Sequence, residues 1–272
     1  MTATNSAEFV EFACRLAELA AAAILPHFRT RIEVHNKAGN AGYDPVTAAD
    51  RAAEEVIRGE IHRVYPTHSV HGEEHGHAKR DSDWTWVIDP IDGTRGFILG
   101  QLHWGTLVAL NDGTRPVVGV MNQPYVGEMF VGSSAGAEIR HGGRRTPLRS
   151  RACPVLGEAV VCTTHPGVFK TRGERAAFDR VAGEARQARY GGDCYNYCLL
   201  AAGLVDLVIE ANLFPYDVQA LIPIVEAAGG VMTTWDGGSA QDGGQIIAAG
   251  DPALHRAVLP LLQSARDGAG TS

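Results

Sequence analysis

Two carboxylates stand three residues apart where an apolar segment ends, in the stretch WVIDPIDGTRGF at residues 86–97. The apolar residues predict a buried strand that stops at Pro90, because proline has no amide hydrogen to donate to a sheet. Asp89, Asp92 and the Ile91 carbonyl between them are hard oxygen ligands, which suit Mg²⁺ far better than zinc. The alternative is a turn, since Asp-Gly is common in turns. The apolar strand directly before DPIDGT favours a metal site.

Gly93 and Thr94 follow these carboxylates and open a predicted helix. The first amide groups of a helix have no partner inside the helix, and they bind phosphate readily. The sequence therefore predicts that metal ligands and a phosphate-binding site lie close together in this loop.

Three further positions carry acids that could join this site. Glu73 and Glu74 lie in the loop HGEEHG, which a solvated loop would also explain. Asp50 closes TAAD, a capping box that begins at Thr47. Asp217 lies where a helix begins and could be only its cap. Together these residues are the acids that a two-metal phosphoryl-transfer site requires.

The elements that position these residues are predicted from apolar periodicity and turn residues. Helices are predicted in the first half at residues 6–29 and 47–64, and in the second half at 174–185, 194–203, 218–230 and 252–265. Strands are predicted at residues 84–89, 105–111, 115–124, 128–133, 158–164, 205–211 and 245–250. Residues 68–83 are predicted to be irregular, and Pro223 predicts a kink or a later start in its helix.

Helices and strands alternate through the chain, but the two halves differ in character. Residues 1–145 are predicted to form an α+β half with an antiparallel sheet and the metal loop. Residues 146–265 are predicted to form a more α/β-like half, and 266–272 a disordered tail. This pattern indicates an α+β protein of stacked layers with a cleft between its halves.

Four motifs occur in the order and rough spacing of one known family. DPVTAAD, GEE, WVIDPIDGT and YDVQALIPIVEAAGG resemble the inositol monophosphatase family, and the resemblance runs from about Lys37 to Gly230. It implies a layered α-β-α-β-α sandwich, a homodimer, and a Mg²⁺-dependent, Li⁺-sensitive phosphatase that acts on a small-molecule phosphate ester. A relative that only binds phosphorylated ligands is a further alternative, but no carboxylate of the motifs is lost.

The resemblance also implies roles for particular residues. Glu73, Asp89 and the Ile91 carbonyl match the ligands of a first metal. Asp89, Asp92 and Asp217 match those of a second.

Two or three ions are therefore expected in the site. The third and weaker one involves Glu73 with Asp50 nearby. Thr94 and Glu73 match the catalytic pair that orients the attacking water, and the amides of Gly93 and Thr94 match the phosphate-binding groups.

The substrate is indicated by residues 96–110 and 189–223, which look most like the histidinol-phosphate phosphatase branch of the family. Three positions match the contacts of the leaving group: Gly192, Asp193 and Glu210. Asp92 and Asp217 complete the implied substrate contacts.

Histidinol is cationic, and acids suit a cationic leaving group. Asp193 could instead only cap the helix that follows it. Arg95 and Phe214 depart from the branch pattern, where Lys and a polar residue are expected. The alternative substrates are inositol 1-phosphate and other sugar phosphates.

The bulk composition argues against other classes of function. The net charge of −7 is opposite to that of a general nucleic-acid binder. The apolar stretch LAAAAILPHF is too short to span a bilayer, so no membrane association is expected.

The five cysteines show no zinc pattern and predict reduced thiols in a cytoplasmic protein. His68, His71, His75 and His77 cluster around Glu73, but their spacing matches no standard zinc site, and a solvated loop is expected.

Overall fold

Two large β-sheets alternate with three layers of helices in the structure, a computed structural model that describes residues 3–37 and 45–267. The short strands Val34–Asn36 and Pro45–Thr47 pair in a separate two-stranded sheet. The helices are α1 (Ala3–Ile24), α2 (Ala48–Val64), α3 (Thr94–Ile98), α4 (Arg172–Glu184), α5 (Cys194–Ala201), α6 (Pro215–Val218), α7 (Leu221–Ala227) and α8 (Pro252–Asp267). The strands are β1 (Val34–Asn36), β2 (Pro45–Thr47), β3 (Ser69–Gly72), β4 (Gly76–Ala78), β5 (Thr85–Asp92), β6 (Gly105–Asn111), β7 (Pro116–Gln123), β8 (Glu128–Ser133), β9 (Gly136–His141), β10 (Arg144–Pro147), β11 (Val160–Thr163), β12 (Gln187–Tyr190), β13 (Leu207–Leu213), β14 (Val231–Thr234) and β15 (Gly244–Ala249).

The first half builds an eight-stranded sheet in the order β10-β9-β8-β7-β6-β5-β3-β4. All neighbours are antiparallel except β3 and β5, which run parallel. The α1 and α2 helices cover one face, because their apolar sides are buried with Trp86 and Trp104 in one core. Trp86 is therefore a packing residue of this core. This sheet carries the motif DPIDGT on β5.

The second half builds a five-stranded mixed sheet in the order β12-β11-β13-β15-β14. The α4 and α8 helices cover its outer face around Phe178 and Trp235. The α5 and α7 helices fill the space between the two sheets. Glycine permits this close packing, since a Cβ on Gly132 of β8 would lie 2.3 Å from the Ile224 amide of α7. The layers therefore follow the predicted order α-β-α-β-α.

Several predicted boundaries differ from the structure. The first helix ends at Ile24 and a 3₁₀ turn, Leu25–His27, follows, because Pro26 has no amide to continue the helix. Residues 68–83 were expected to be irregular but contain the hairpin of β3 and β4. The helix predicted at 218–230 is divided into α6 and α7, with Pro223 in the first turn of α7, where its missing amide removes no helical bond.

Two further predictions concern residues that lie partly outside the described ranges. The stretch NKAGNAGYDP at residues 36–45, whose Gly and Asn content is typical of a loop, lies largely in the segment 38–44, outside the described residues, as do the last five positions of the predicted tail. The α8 helix runs to Asp267. Among the helices within residues 3–37 and 45–267, none combines the length and apolar character required to cross a membrane.

Candidate metal-dependent active site

A cleft of about 510 Å³ collects most of the predicted site residues. Its lining includes residues of β5, α3, α5 and β13, together with the loop that follows β11. The predicted residues in this lining are Glu73, Asp89, Ile91, Asp92, Gly93, Thr94, Asp193, Glu210 and Asp217. Residues as far apart in the chain as Glu73 and Asp217 therefore meet in one cavity.

A β-bulge in β5 brings Asp89 and Asp92 together. Side chains three residues apart in a regular strand point to opposite faces. Asp89 pairs with Leu107 and Asp92 with Gly105, so three steps along β5 match two along β6. The extra residue of the bulge turns both carboxylates toward the same side. The prediction that the strand stops at Pro90 was wrong, because the bulge accommodates the proline and the strand continues to Asp92.

Asp217 completes a cluster of three carboxylates with Asp89 and Asp92, whose ligand oxygens all lie within 4.8 Å of one another. Burial is the main cause that raises the pKa of Asp89 and Asp217 well above the usual range, and the charges of neighbouring acids add to it. Burial also raises the pKa of Asp92 to about 6. Asp217 also accepts a hydrogen bond from the Phe214 amide at 2.7 Å, so it helps to cap α6 as well as joining the cluster.

Glu73 lies in the turn between β3 and β4, and its charge adds to the raised pKa of Asp89. Its charge also contributes to the raised pKa of Asp50. We name Glu73, Asp89, Asp92 and Asp217 the acid cluster. Asp50 adjoins it from α2, where it forms the predicted capping box with Thr47.

The loop from Ile91 to Thr94 joins the acid cluster to α3. Gly93 adopts φ 83°, a conformation that favours glycine, and a Cβ at this position would lie 2.5 Å from the His103 carbonyl oxygen. The Thr94 hydroxyl donates a hydrogen bond to the Ile91 carbonyl at 3.0 Å. The predicted helix start at Gly93 and Thr94 is confirmed, with Gly93 preceding the first residue of α3.

Four residues form a second side of the cleft, which we name the α5 wall: Thr164, Asp193, Tyr197 and Glu210. Glu210 is 3% exposed, and both of its carboxylate oxygens accept hydrogen bonds. The Thr164 amide donates to Oε1 at 2.8 Å, and the Tyr197 hydroxyl donates to Oε2 at 3.1 Å. Burial raises the pKa of Glu210 to about 7, while these two donors lower it.

Asp193 precedes α5 with φ 44°, a strained conformation for a residue other than glycine. Its side chain makes no capping hydrogen bond, so the alternative that it only caps α5 is not supported. Asp92 instead accepts from the Cys194 amide at 2.8 Å. Burial raises the pKa of Asp193 to about 8, and the charge of Arg95 opposes this shift. Gly192 lies beside Asp193 with φ 120°.

Three of the histidines near Glu73 make specific side-chain contacts, which a solvated loop does not predict. His68 accepts a hydrogen bond from the Trp86 indole at 3.1 Å and stacks on Tyr65. His71 and His77 stack on each other across the β3–β4 hairpin, with ring centroids 5.3 Å apart. We therefore interpret His68, His71 and His77 as packing residues.

Residues that no sequence motif predicted also support the site, although they are distant from its motifs in the chain. Lys37 donates to Glu73 at 2.7 Å and to Glu74 at 2.9 Å. Glu54 is fully buried and accepts from the amides of Glu74 and His75. For Glu54, the one signal in the sequence was an acidic residue at a position of α2 where the helical pattern predicts an apolar one. Tyr197 gave no signal, because aromatic residues are common on buried helix faces.

The residues of the acid cluster fit a hard divalent cation. All of the side-chain donors are carboxylate oxygens, and those of Asp89, Asp92 and Asp217 converge within 4.8 Å. The Oδ1 atom of Asp50 is buried without a hydrogen-bond partner, although a buried polar atom normally has one. Carboxylates forced together in this way either take up protons or are neutralised by a cation bound between them.

A five-layer fold with a buried acid cluster beside the start of a helix defines a class of protein, the metal-dependent phosphatases. A sequence model described as the inositol monophosphatase family matches residues 5–267. The chain therefore belongs to the inositol monophosphatase family, and it is a phosphoric monoester hydrolase.

Known relatives support the same assignment. The chain is similar to the chloroplastic bifunctional phosphatase IMPL2 of Arabidopsis thaliana, with 38% identity, covering 91% of this chain and 73% of that one. It is 34% identical to a histidinol-phosphatase of Streptomyces coelicolor, covering 91% of this chain and 94% of that one. The solved structure of an inositol monophosphatase from Zymomonas mobilis matches with a TM-score of 0.84 and 38% identity, covering 97% of this chain and 100% of that one.

Proposed function

We propose that this phosphatase hydrolyses L-histidinol phosphate to L-histidinol and phosphate, a step of histidine biosynthesis. The observation that carries the proposal is the pair of acids Asp193 and Glu210, which line the same cleft as the acid cluster. Histidinol carries an ammonium group and an imidazole, whereas inositol is a neutral polyol. Carboxylates form strong, charge-assisted hydrogen bonds with a cationic leaving group. The similarity to a histidinol-phosphatase supports the same substrate.

We further propose that Mg²⁺ is the metal, because every donor of the acid cluster is a hard oxygen. Glu73, Asp89 and the Ile91 carbonyl would hold one ion, and Asp89, Asp92 and Asp217 would hold a second. A third, weaker ion would involve Asp50 with Glu73. Bound Mg²⁺ would neutralise the ester and activate the attacking water. By the same family pattern, we expect a homodimer and inhibition by Li⁺.

The chain's own groups would position the reactants around this site. Thr94 Oγ1 and the Glu73 carboxylate would orient the water for attack on phosphorus. The amides of Gly93 and Thr94 would donate to the phosphate oxygens. Asp193 and Glu210 would hold the leaving group, and Asp92 and Asp217 would hold the ion whose charge offsets that of the departing oxygen. No covalent phosphoenzyme is required.

Phosphate release from a panel of esters tests the substrate. The panel contains histidinol phosphate, inositol 1-phosphate, fructose 1,6-bisphosphate and a phosphoadenosine nucleotide, each at matched Mg²⁺. We expect histidinol phosphate to give the highest kcat/KM, by about tenfold or more, since one charged hydrogen bond has at least this effect. A higher value for inositol 1-phosphate would instead support the second candidate, to which the likeness to the Zymomonas enzyme points.

A further inference from the structure

Tyr197 lies on α5, in the helical layer between the two sheets, at the edge of the cleft. The residue is 1% exposed, and it forms part of the cleft lining. Its hydroxyl donates to Oε2 of Glu210 at 3.1 Å, while the main chain of Thr164 donates to Oε1. Each carboxylate oxygen therefore has one fixed donor, which sets the rotation of the carboxylate about its last bond.

We propose that Tyr197 is a positioning residue that determines specificity: it holds Glu210 in the orientation and charge state that a cationic leaving group requires. The inference rests on the proposed function, because it assumes that Glu210 contacts this leaving group. Tyr197 itself acts through Glu210. The role goes beyond the acid pair, since it assigns part of the substrate preference to a neutral residue.

The surroundings of Glu210 explain why it needs such a partner. Asp92 carries the neighbouring charge that raises the pKa of Glu210, and the charge of Glu210 in turn raises the pKa of Asp193 and Asp217. Burial and the charge of Asp92 favour the protonated form of Glu210, whereas the hydrogen bonds from Tyr197 and Thr164 favour the carboxylate. A hydrogen bond to the charged form lowers the pKa of the acid. Without the Tyr197 hydroxyl, Glu210 would keep one donor and carry less negative charge at neutral pH.

The same helix offers a matched control in Tyr195. Its hydroxyl donates to Glu128 of β8, and neither residue is among those that line the cleft. Tyr195→Phe therefore removes the same atom from the same helix without a change at Glu210. Tyr197→Phe keeps the buried ring, so the fold should survive, and a thermal melt of each variant checks this.

The experiment compares both variants with the wild type on two esters, histidinol phosphate and the neutral-alcohol ester glycerol 2-phosphate. In Tyr197→Phe, the ratio of kcat/KM for the cationic ester to that for the neutral ester should fall about tenfold. The change should lie mainly in KM for histidinol phosphate. Histidinol should also become a weaker inhibitor of glycerol 2-phosphate hydrolysis. Tyr195→Phe should leave the ratio and the inhibition unchanged.

The outcomes separate this inference from the proposed function. An unchanged ratio and unchanged histidinol inhibition in Tyr197→Phe would overturn the role of Tyr197, even if histidinol phosphate is the preferred substrate. Equal losses on both esters would also overturn it, because they would show general support of the site. If the wild type prefers another ester but the ratio and the inhibition still fall, the proposed substrate fails and the role of Tyr197 stands.

Discussion

The acid cluster and the α5 wall both place buried carboxylates in one cleft, but they treat the negative charge differently. In the acid cluster, Asp89 and Asp217 have strongly raised pKa values because they are buried beside other acids. On the α5 wall, two neutral donors hold both oxygens of Glu210. Lys37 offsets the charge of the acid cluster only at Glu73, so the cluster is suited to take up further cations. The wall instead offsets part of the cost of a charged Glu210 with its own donors. One side is suited to bind metal, and the other to contact a substrate.

Asp92→Asn tests the acid cluster with the largest expected effect. The substitution keeps the size of the side chain and an oxygen that can accept from the Cys194 amide, but it removes the charge. Turnover should fall at least about a hundredfold at ordinary Mg²⁺, since a ligand should matter no less than the groups that support it. Steady-state phosphate release measures this.

The exposed Asp81→Asn provides the control, because it makes the same change outside the cleft lining and should leave turnover unaltered. Turnover of Asp92→Asn near that of the wild type would show that Asp92 is only a cap of α5.

Asp193→Asn tests the α5 wall with an effect confined to one substrate. It removes the charge, and asparagine tolerates the positive φ of this position about as well as aspartate. The kcat/KM for histidinol phosphate should drop about ten- to a hundredfold. Hydrolysis of glycerol 2-phosphate should change little. Equal losses on both esters would mean that the α5 wall and the acid cluster act as one unit. That result would contradict the distinction between a metal-binding side and a substrate-binding side.

Gly93→Ala tests the loop that connects the acid cluster to α3. A left-handed conformation costs an L-residue about 1–2 kcal/mol, and here the new Cβ would also meet the His103 carbonyl. Gly76→Ala is the matched control, because Gly76 has φ 66° but open space around it. Urea denaturation should show a larger loss for Gly93→Ala, together with reduced phosphate release. Equal losses in the two variants would show that the contact with His103 has no effect.

The pH dependence of stability has the smallest expected effect, and raised pKa values in both regions contribute to it in the same direction. In the metal-free protein the pKa of Glu210 is raised to about 7 and that of Asp193 to about 8, chiefly by burial. The folded state therefore binds more protons than the unfolded state between about pH 5 and pH 8, so stability falls as the pH rises. The free energy of unfolding should decrease by at least about 1.4 kcal/mol, the equivalent of one pKa unit.

Glu210→Gln should make this decrease smaller, since it removes one of the acids. Chemical denaturation with chelator present, at several pH values, measures both proteins. Stability that rises from pH 5 to pH 8 would contradict the raised pKa values.

Much of this architecture could be predicted from sequence because the signals are local. The spacing of Asp89 and Asp92 around a proline indicated a metal site. The order of helices and strands indicated stacked layers, and the family resemblance implied their order, α-β-α-β-α. The bulge that turns both side chains to one side depends on pairing with β6, which no local pattern encodes. The contact between Tyr197 and Glu210 likewise depends on packing between α5 and β13.

Lys37 shows the same limit. Its contact with Glu73 spans 36 residues, and no periodic pattern links them. Asp193 shows the opposite difference between sequence and structure. Its position before a helix suggested a cap, but the structure forms no such hydrogen bond. Local propensity thus predicted the elements, whereas tertiary contacts decided which acids meet.

Metal dependence tests the central claim, that the acid cluster is a cation site on which hydrolysis depends. The chelator-stripped wild type is titrated with Mg²⁺ while phosphate release and Mg²⁺ binding by calorimetry are both followed. We predict no activity without metal, full recovery as Mg²⁺ binds, and loss of both signals in Asp92→Asn. Full phosphate release from thoroughly stripped protein would contradict the account.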